Sequence, residues 1–510
     1  MAERRLAAID LGAQSGRVGI GRFDGRTITL ELRHRFGNEP LWLPDGLRWN
    51  LTGLFVEVLR GLATAAAGGK LDGIGIDSWG CDYALLGARG RVLGMPFHYR
   101  DPQRCAPAVI AGTYARVPAH ELYARTGIQA MPINTVFQLF AEFGGSGEAA
   151  AGRSGRAAGH AAPSAPVERI ALIPDLMAMW LTGTLVNELT VASTTGLLDA
   201  HGSGWTVDLI DRLGIPTAPF TGSTVAPGTE IGPVCGGHPA TGVAVRAVAA
   251  HDTASAFAAA GLTSRGAAVL SSGTWSLIGV ELDAPRLGPN AEAFNLTNER
   301  GVGNVIRLLR NVMGMWLIEE CRREWGAGAD YDQLYRDAAA VEGEVPLFDP
   351  DDDSLLAPGP MTARIEALIA ATDQARPTGR AQLIRSVLES LACKYRLVVD
   401  RLEVVSERSI DTIQVVGGAV RNSLLCGLTA NITGRTVCAG PVEATLLGNV
   451  LVQLLGLGEL QSAAEMHELA RASADLERYE PRCRNESEAT YRRFIDITGL
   501  ATSPAPRIAV

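Results

Sequence analysis

A short pattern near the start of the chain recurs about 260 residues later, and this recurrence limits the possible folds more than any other feature. In residues 6–21, LAAIDLGAQSGRVGIG, two apolar runs flank a turn of small residues, which is typical of a β-hairpin. Residues 267–280, AAVLSSGTWSLIGV, repeat the pattern. Because the offset is about half of the 510-residue length, the chain is predicted to fold as two similar halves.

Apolar runs and helical periodicity alternate along the rest of the chain. Runs that end in aspartate or glycine, at 73–77 and 412–418, predict further strands. Apolar side chains at three- and four-residue steps in 386–402 predict a helix with one buried face. The alternation indicates the α/β class, with one domain over residues 1–245 and a second over residues 246–510.

One segment, residues 144–166, differs in composition from the rest of the first half. It consists almost wholly of Ala, Gly, Ser and Pro with scattered Arg, so it lacks the apolar side chains that offset the entropy of ordering. We expect a mobile surface insertion. Its arginines leave contact with a polyanion open as an alternative.

Composition excludes several classes of protein. A net charge of −9 argues against a nucleic-acid binder. The chain has lysine only at Lys70 and Lys394, and Gly69-Lys70 is followed by Leu71, so a P-loop nucleotide site is excluded. The eight cysteines form no Cys-x-x-Cys pair, which favours reduced thiols over a zinc site. With no apolar run near the ~20 residues of a membrane span, we expect a soluble cytoplasmic protein.

The turns of the two predicted hairpins are candidates for phosphate binding. Asp10 ends a strand and is followed by small residues whose backbone amides can hold phosphate oxygens, while the carboxylate can hold a hydrated Mg²⁺. The turn at 271–276, SSGTWS, is equally rich in donors. Gly417 and Gly418 end a third strand, where a ligand could approach the backbone, although a strand-end Gly-Gly is commonly only a tight turn.

Two further carboxylates have a structural and a functional interpretation. Asp252 follows the apolar strand 242–250 and precedes an Ala-rich helix, so it is either a helix N-cap or a general base. Trp79 and Asp82 in the sequence WGCD could form a sugar-binding wall, although a tryptophan after a strand is more commonly part of the core.

Nine motifs occur in an order that resembles the FGGY-type carbohydrate kinases. They are DLGAQSGR, GIDSWGCDYALL, YRD, TGIQ, NTVFQL, AHDTASA, LSSGTWSL, RNVMGMWL and GPVEATLLGN, spread over residues 6–450. The resemblance implies two duplicated ribonuclease-H-like (actin-like ATPase) domains that flank an active-site cleft holding ATP and a sugar.

The resemblance also implies roles for particular residues. The family's ATP-binding positions fall on Ala13, Gln14, Ser15, Gly16, Arg17, Thr274, Glu319 and Gly418. Its sugar-binding positions fall on Gly80, His251, Asp252, Thr253 and Asn311, and its catalytic base falls on Asp252. The expected cofactors are ATP and Mg²⁺, with Mg²⁺ positioned through Asp10.

The implied activity is phosphorylation of O1 of a ketose, with L-rhamnulose as the expected substrate. A kinase for L-fuculose or D-xylulose, a non-catalytic sugar or nucleotide sensor, and a nucleotide-driven switch of the actin or chaperone type are the alternatives. A switch would not need a sugar wall or the His251-Asp252-Thr253 run. The expected partners are small molecules, with no nucleic acid and no membrane, and the chain is expected to be a monomer or a homodimer.

Three residues depart from the family pattern. Glu319 stands where the family has glutamine, and a carboxylate cannot donate a hydrogen bond to the nucleotide. Ala419 replaces the last glycine of Gly-Gly-Gly, which would cost ~1–2 kcal/mol if the backbone needs a positive φ. Gln14 replaces a small serine and is expected either to add a donor or to crowd the turn.

Overall fold

The computed structural model describes residues 3–144, 165–202, 204–264, 266–326 and 330–500. The predicted insertion at 144–166 lies outside these residues except at its two ends. The strands are β1 Arg4–Leu11, β2 Ser15–Phe23, β3 Ile28–Gly37, β4 Leu41–Leu43, β5 Gly46–Arg48, β6 Gly73–Ser78, β7 Tyr83–Leu86, β8 Arg169–Leu172, β9 Glu230–Pro233, β10 Ala244–His251, β11 Ala267–Ser272, β12 Trp275–Leu282, β13 Thr297–Arg300, β14 Ile306–Met313, β15 Thr412–Val416, β16 Thr436–Ala439 and β17 Glu477–Tyr479.

The α-helices lie on the faces of the sheets and in the connections between strands. They are α1 Leu51–Ala67, α2 Pro107–Arg116, α3 Ala119–Thr126, α4 Thr135–Phe143, α5 Ile173–Thr182, α6 Leu189–Ser193, α7 Val207–Arg212, α8 Asp252–Ala258, α9 Pro289–Ala293, α10 Trp316–Trp325, α11 Tyr331–Ala339, α12 Met361–Ala370, α13 Arg380–Ser406, α14 Ser423–Thr433, α15 Ala444–Gly456, α16 Ala463–Ala472 and α17 Arg484–Thr498. The predicted helix at 386–402 lies inside α13, but its burial is not confined to one face, since every residue from 386 to 395 is buried, Glu389 and Lys394 included.

The first sheet contains six strands in the order β3-β2-β1-β6-β10-β9. Strand β1 forms its predicted hairpin with β2 and pairs in parallel with β6 on its other side. Because helices cover both faces, β1 is buried along nearly its whole length, which explains its unbroken apolar run. Parallel pairing aligns the carboxyl ends of β1, β6 and β10 at one edge of the sheet.

The second sheet repeats this arrangement. Its order is β13-β14-β12-β11-β15-β16-β17, with β11 antiparallel to β12 and parallel to β15. Strands β14, β12, β11, β15, β16 and β17 correspond in order and direction to the six strands of the first sheet, and β13 is an additional edge strand. The prediction of two similar halves is confirmed.

The chain passes from the first sheet to the second after β10. The predicted boundary between residues 245 and 246 falls inside β10, which belongs to the first sheet over its full length. Helix α8 begins directly after β10, and α15 from the end of the chain packs closely against it. A Cβ on Gly448 would lie 1.8 Å from the carbonyl oxygen of Ser255, so only glycine allows this helix contact.

Two further expectations concern the cysteines and membrane-spanning segments. All eight cysteines are free thiols, as the sequence predicts. Among the helices of the described residues, none has both the length and the apolarity needed to cross a membrane.

Candidate active site

A cavity of about 310 Å³ lies between the ends of the first-sheet strands and the β11–β12 turn. Most of the residues predicted to form the site line it together. These are Asp10, Ala13, Gln14, Ser15, Arg17, Gly80, His251, Asp252, Thr253, Thr274, Asn311 and Gly418. Gly16 and Glu319 are not part of the lining.

The two hairpin turns face each other across this cavity. Thr274 Oγ1 donates a hydrogen bond to Gln14 Oε1 over 3.2 Å, so the first turn touches the second directly. The Gln14 side chain therefore reaches across to the second turn. Its Nε2 group is buried with no hydrogen-bond partner, which leaves an amide donor beside the cavity. A pair of donor-rich turns around one space suits the oxygens of a polyphosphate.

Gly16 has a packing role in place of a lining role. It pairs with Phe36 across β2 and β3, and a Cβ at this position would lie 2.2 Å from a ring carbon of Phe36. Glycine is needed at position 16 because the Phe36 ring covers it.

Asp10 and Asp77 stand side by side at the ends of β1 and β6, where they are direct partners in the parallel register. Burial raises the pKa of Asp10 to about 6, although Arg17 Nε donates to Asp10 Oδ2 over 2.7 Å. Burial also raises the pKa of Asp77 well above its usual value, and repulsion from Asp10 adds to the effect. Asp252 contributes further repulsion to both groups, so three carboxyl groups share this edge.

Arg17 and Asn449 connect these carboxylates to the C-terminal part of the chain. Arg17 Nη1 pairs with Glu443 Oε2 over 3.0 Å, and Asn449 Nδ2 donates to Asp77 Oδ2 over 2.6 Å. Asp77 and Asn449 lie in two of the motifs above, but the sequence did not indicate a role for either residue. Only the pairing of distant segments shows what they contact.

Within the described residues, no group of three His, Cys, Asp or Glu side chains could hold a metal by itself. Mg²⁺ in phosphoryl-transfer sites is bound mainly by phosphate oxygens and water, with one or two carboxylates. Asp10 supplies one carboxylate in the cavity lining, next to the donor-rich turns. The residues fit a metal that arrives with a nucleotide.

Asp252 occupies the first position of α8 and lines the cavity. Its Oδ1 accepts from the backbone N–H of Thr253 at 2.5 Å and from Thr253 Oγ1 at 3.1 Å. The N-cap position belongs to His251, so the interpretation of Asp252 as a cap does not match the helix. With Oδ1 occupied, Oδ2 is the oxygen left for a ligand.

His251 is held by an ion pair that sequence reasoning missed. Its Nδ1 lies 3.3 Å from Glu299 Oε2 and 3.2 Å from Arg307 Nη2. Burial acts to raise the pKa of Glu299, but Arg307 and His251 outweigh burial and lower that pKa below its usual value. Glu299 lines the cavity and Arg307 is fully buried behind it. The ion pair fixes the imidazole beside Asp252, with His251 Nε2 3.5 Å from Asp252 Oδ1.

The WGCD sequence divides between the cavity and the core. Gly80 and Trp79 line the cavity, and a Cβ on Gly80 would lie 2.9 Å from Thr194 Oγ1. The Asp82 carboxylate is buried in the core, where Oδ2 accepts from the indole N–H groups of Trp49 at 2.6 Å and of Trp79 at 2.9 Å. Burial raises the pKa of Asp82 to about 7. Asp82 positions Trp79 and does not face a ligand.

Two of the departures from the family pattern have structural outcomes. The Glu319 carboxylate is bound by Arg322 at 3.1 Å and by the Tyr331 hydroxyl, away from the cavity lining. Near Ala419, the positive φ of 86° belongs to Gly417, whereas Ala419 lies in a 3₁₀ turn, Gly418–Arg421. Ala419 is therefore free of the strain that its Cβ would cause at a positive φ.

Comparison with known proteins gives one consistent family. Residues 268–457 match the model for the FGGY family of carbohydrate kinases, C-terminal domain. The chain is 39% identical over 498 residues to a rhamnulokinase from Bacteroides thetaiotaomicron, a match that covers 96% of this chain and 99% of that protein. It is 38% identical over 510 residues to a rhamnulokinase from Pectobacterium carotovorum, covering 99% and 98%. The chain belongs to the FGGY family of carbohydrate kinases, and it is a sugar kinase.

Solved structures agree on the fold. A gluconate kinase from Lactobacillus acidophilus superimposes with a TM-score of 0.74 at 17% identity, over 98% of both chains. A xylulose kinase from Rhodospirillum rubrum gives 0.74 at 20% identity, over 98% of this chain and 99% of the other. A Plasmodium falciparum glycerol kinase with ADP superimposes with a TM-score of 0.74 at 14% identity, over 97% of this chain and 98% of the other. The predicted fold class, two duplicated ribonuclease-H-like (actin-like ATPase) domains, is confirmed.

Proposed function

We propose that this member of the FGGY family transfers the γ-phosphoryl group of ATP to O1 of L-rhamnulose, giving L-rhamnulose 1-phosphate and ADP in L-rhamnose catabolism. Relatives named rhamnulokinase that match nearly the full chain support this substrate. The observation that carries the proposal is the position of Asp252. It lines the same cavity as the phosphate-turn residues Gln14 and Thr274 and the predicted sugar residue Asn311.

Asp252 acts as the general base. Thr253 occupies Oδ1 through its backbone N–H and its hydroxyl, so Oδ2 accepts the proton from the sugar O1 as the oxygen attacks phosphorus. His251 lies beside this carboxylate, and the buried pair of Glu299 and Arg307 prevents the imidazole from rotating away. A fixed base contributes mainly by keeping the acceptor within reach of the hydroxyl.

The donors of the two turns hold the phosphate oxygens. Thr274 Oγ1 and the Gln14 amide meet across the cavity, and Arg17 adds a positive charge behind them. Asp10 would hold Mg²⁺, which supplies neutralisation of phosphate charge when it is bound with the nucleotide. The strand-end glycines Gly417 and Gly418 let the rest of the nucleotide approach the backbone.

The sugar end of the cavity combines polar and apolar walls. Gln129 and Asn311 supply amides, whereas Trp79, Ile128 and Ile133 supply apolar surface. L-Rhamnulose is a 6-deoxy ketose, so it presents hydroxyl groups and one methyl group. A mixed wall of this kind suits such a sugar, since the methyl group gains from apolar contact.

Contacts between the two halves lie next to the cavity. Arg100 from the first half lies over the rings of Trp275, at 5.0 Å, and Trp316, at 4.1 Å, from the second half. Arg100 also donates to the carbonyl oxygen of Leu356. These contacts join the two halves beside the cavity, and closure of the halves around both substrates would exclude water and suppress futile ATP hydrolysis.

Location and assembly belong to the same proposal. Eight free thiols are compatible with a reducing cytoplasm. The monomer or homodimer expected from the sequence stays a prediction, which light scattering coupled to size-exclusion chromatography would test.

The proposal is tested by measuring ADP release with Mg-ATP and a panel of ketoses and aldoses. We expect the highest kcat/KM with L-rhamnulose, followed by L-fuculose and D-xylulose. Phosphorus NMR of the product should show a phosphate ester on C1. Turnover confined to glycerol or to aldoses would refute the substrate assignment, and absence of turnover with every sugar would refute catalysis.

A further inference from the structure

A segment of the first half, residues 127–130, is bound along an edge of the second sheet. The backbone N–H of Ala130 donates to Asn295 Oδ1 over 2.8 Å, and Asn295 Nδ2 donates to the carbonyl oxygen of Ala130 over 3.1 Å. The backbone N–H of Asn298 donates to the carbonyl oxygen of Gly127 over 2.8 Å. These bonds attach the segment to the sheet edge on both sides of Gln129, whose own side-chain hydrogen bonds to Asn311 are separate from them.

Gln129 completes the edge of β14 where the neighbouring strand stops. Strand β13 pairs with β14 only as far as Leu309, opposite Thr297. Beyond that point the backbone N–H of Asn311 donates to Gln129 Oε1 over 2.8 Å, and Gln129 Nε2 donates to the carbonyl oxygen of Asn311 over 3.2 Å. The side-chain amide thus replaces a missing strand.

These backbone contacts determine which way both side-chain amides point. A backbone N–H can only donate and a carbonyl can only accept, so Oε1 of Gln129 must face the Asn311 N–H. The Asn311 side chain also contacts this Oε1, at 3.2 Å, and only its Nδ2 can donate to it. Asn311 Oδ1 is then the oxygen available to the cavity, which both residues line.

We propose that Gln129 is a positioning and specificity-determining residue of the sugar site, which it controls by fixing the amide of Asn311 with Oδ1 toward the sugar. The site therefore selects a hydroxyl that donates at this position. The inference rests on the proposed function, in which Asn311 contacts the ketose. Gln129 is 4% exposed, so its hydrogen bonds with Asn311 meet little competition from bulk water.

The test replaces Gln129 with a side chain of similar size that makes no hydrogen bonds, Gln129→Met. The Asn311 amide then loses its fixed direction. We expect the ratio of kcat/KM for L-rhamnulose over its C4 epimer L-fuculose to fall by about tenfold, the scale of one hydrogen bond. The KM for ATP should stay within about twofold. An unchanged ratio would overturn the inference.

Two matched variants separate positioning from support of the edge. Asn295 has a positive φ of 53°, which glycine also adopts, so Asn295→Gly preserves the backbone and removes the side-chain bonds to Ala130. The melting temperature should fall, while the ratio of kcat/KM values for the two ketoses stays constant. Gln129→Glu retains an oxygen for the Asn311 N–H and Nδ2 but sets its second oxygen against the Asn311 carbonyl that Nε2 now reaches, so the melting temperature should fall while the ratio is kept. A ratio lost equally in Asn295→Gly would reduce Gln129 to a structural role and overturn the inference.

A double-mutant cycle tests whether Gln129 acts through Asn311. In an Asn311→Ala background, Gln129→Met should change the sugar ratio by less than about twofold, whereas additive effects would overturn the inference. The NMR signals of the Asn311 side-chain amide, assigned by their loss in Asn311→Ala, give a readout that needs no turnover. They should shift in Gln129→Met and stay in place in Asn295→Gly. Failure of the proposed function would appear separately, as absence of ketose turnover in the unaltered chain.

Discussion

Replacement of Asp252 by asparagine tests the proposed chemistry most directly. The amide oxygen of asparagine can still accept the Thr253 N–H, so the local hydrogen bonds that hold Oδ1 are retained. The amide group cannot accept a proton from the sugar. The change therefore removes the base and leaves the geometry of the site in place.

The structure sets the expected sizes of the two effects. The Asp252 side chain is 28% exposed and keeps its bonds, so unfolding free energy should change by no more than about 1 kcal/mol. Its charge also raises the pKa values of Asp10 and Asp77, so its loss relieves repulsion. A positioned base contributes ~10²–10⁴ in rate, and kcat should fall by that factor, or about 3 to 5 kcal/mol of barrier.

The assay compares steady-state kcat with the dissociation constant of the ketose from calorimetry. We expect sugar binding to weaken much less than kcat, because the amide still hydrogen-bonds the hydroxyl. Thermal unfolding serves as the control for folding. A folded Asp252→Asn chain with near-normal kcat would refute the general-base mechanism, and a large loss of stability would refute the structural part of the reasoning.

Four further outcomes are expected. Glu319→Gln should change the KM for ATP by less than about twofold, because this carboxylate pairs with Arg322 and does not line the cavity. A larger decrease of that KM in initial-rate measurements would show that Glu319 contacts the nucleotide. Asp82→Asn should lower the free energy of unfolding, measured in urea, by about 1–3 kcal/mol, because the new amide nitrogen would face the Gln138 Nε2 group that now donates to Asp82 Oδ1. An unchanged urea midpoint of unfolding would contradict this. Between pH 8 and pH 6 the melting temperature should rise as pH falls, because burial holds the folded-state pKa values of Asp82 (about 7), of Glu188 at the start of α6 (about 7) and of Asp10 (about 6) above their unfolded values. A flat profile would contradict these raised pKa values. Deletion of most of residues 144–166, the segment set apart by its composition, should leave melting temperature and kcat nearly unchanged. A large loss of either would contradict this prediction.

Local sequence patterns predicted the elements of the fold and many of the residues that line the cavity. The hairpins at 6–21 and 267–280 and the helix at 386–402 could be recognised because strand and helix periodicity depends on nearby residues only. The recurrence of the hairpin predicted the duplication. The motif order singled out the two turns that are proposed to bind phosphate, and the structure places Gln14 of one in contact with Thr274 of the other.

Contacts between distant segments could not be predicted in this way. The sequence offered Asp82 as part of a sugar wall, and only the position of Trp49 in the folded chain shows that its carboxylate is bound in the core. Gly16 is explained by a ring on another strand, and the Glu299–Arg307 pair contacts His251 from the opposite sheet. A carboxylate or glycine has the same local pattern whether it faces a ligand or a side chain.

The sequence by itself therefore determined the class of fold, its duplication and the chemical types at the site, since these follow from periodicity and short motifs. Tertiary structure decided which atoms of those residues are available. The orientation of the Asn311 amide depends on Gln129, about 180 residues away in the sequence. The elevated pKa of Asp77 depends on burial and on Asp10 in the neighbouring strand. Burial and hydrogen-bond partners are properties of the packed chain, and no local pattern specifies them.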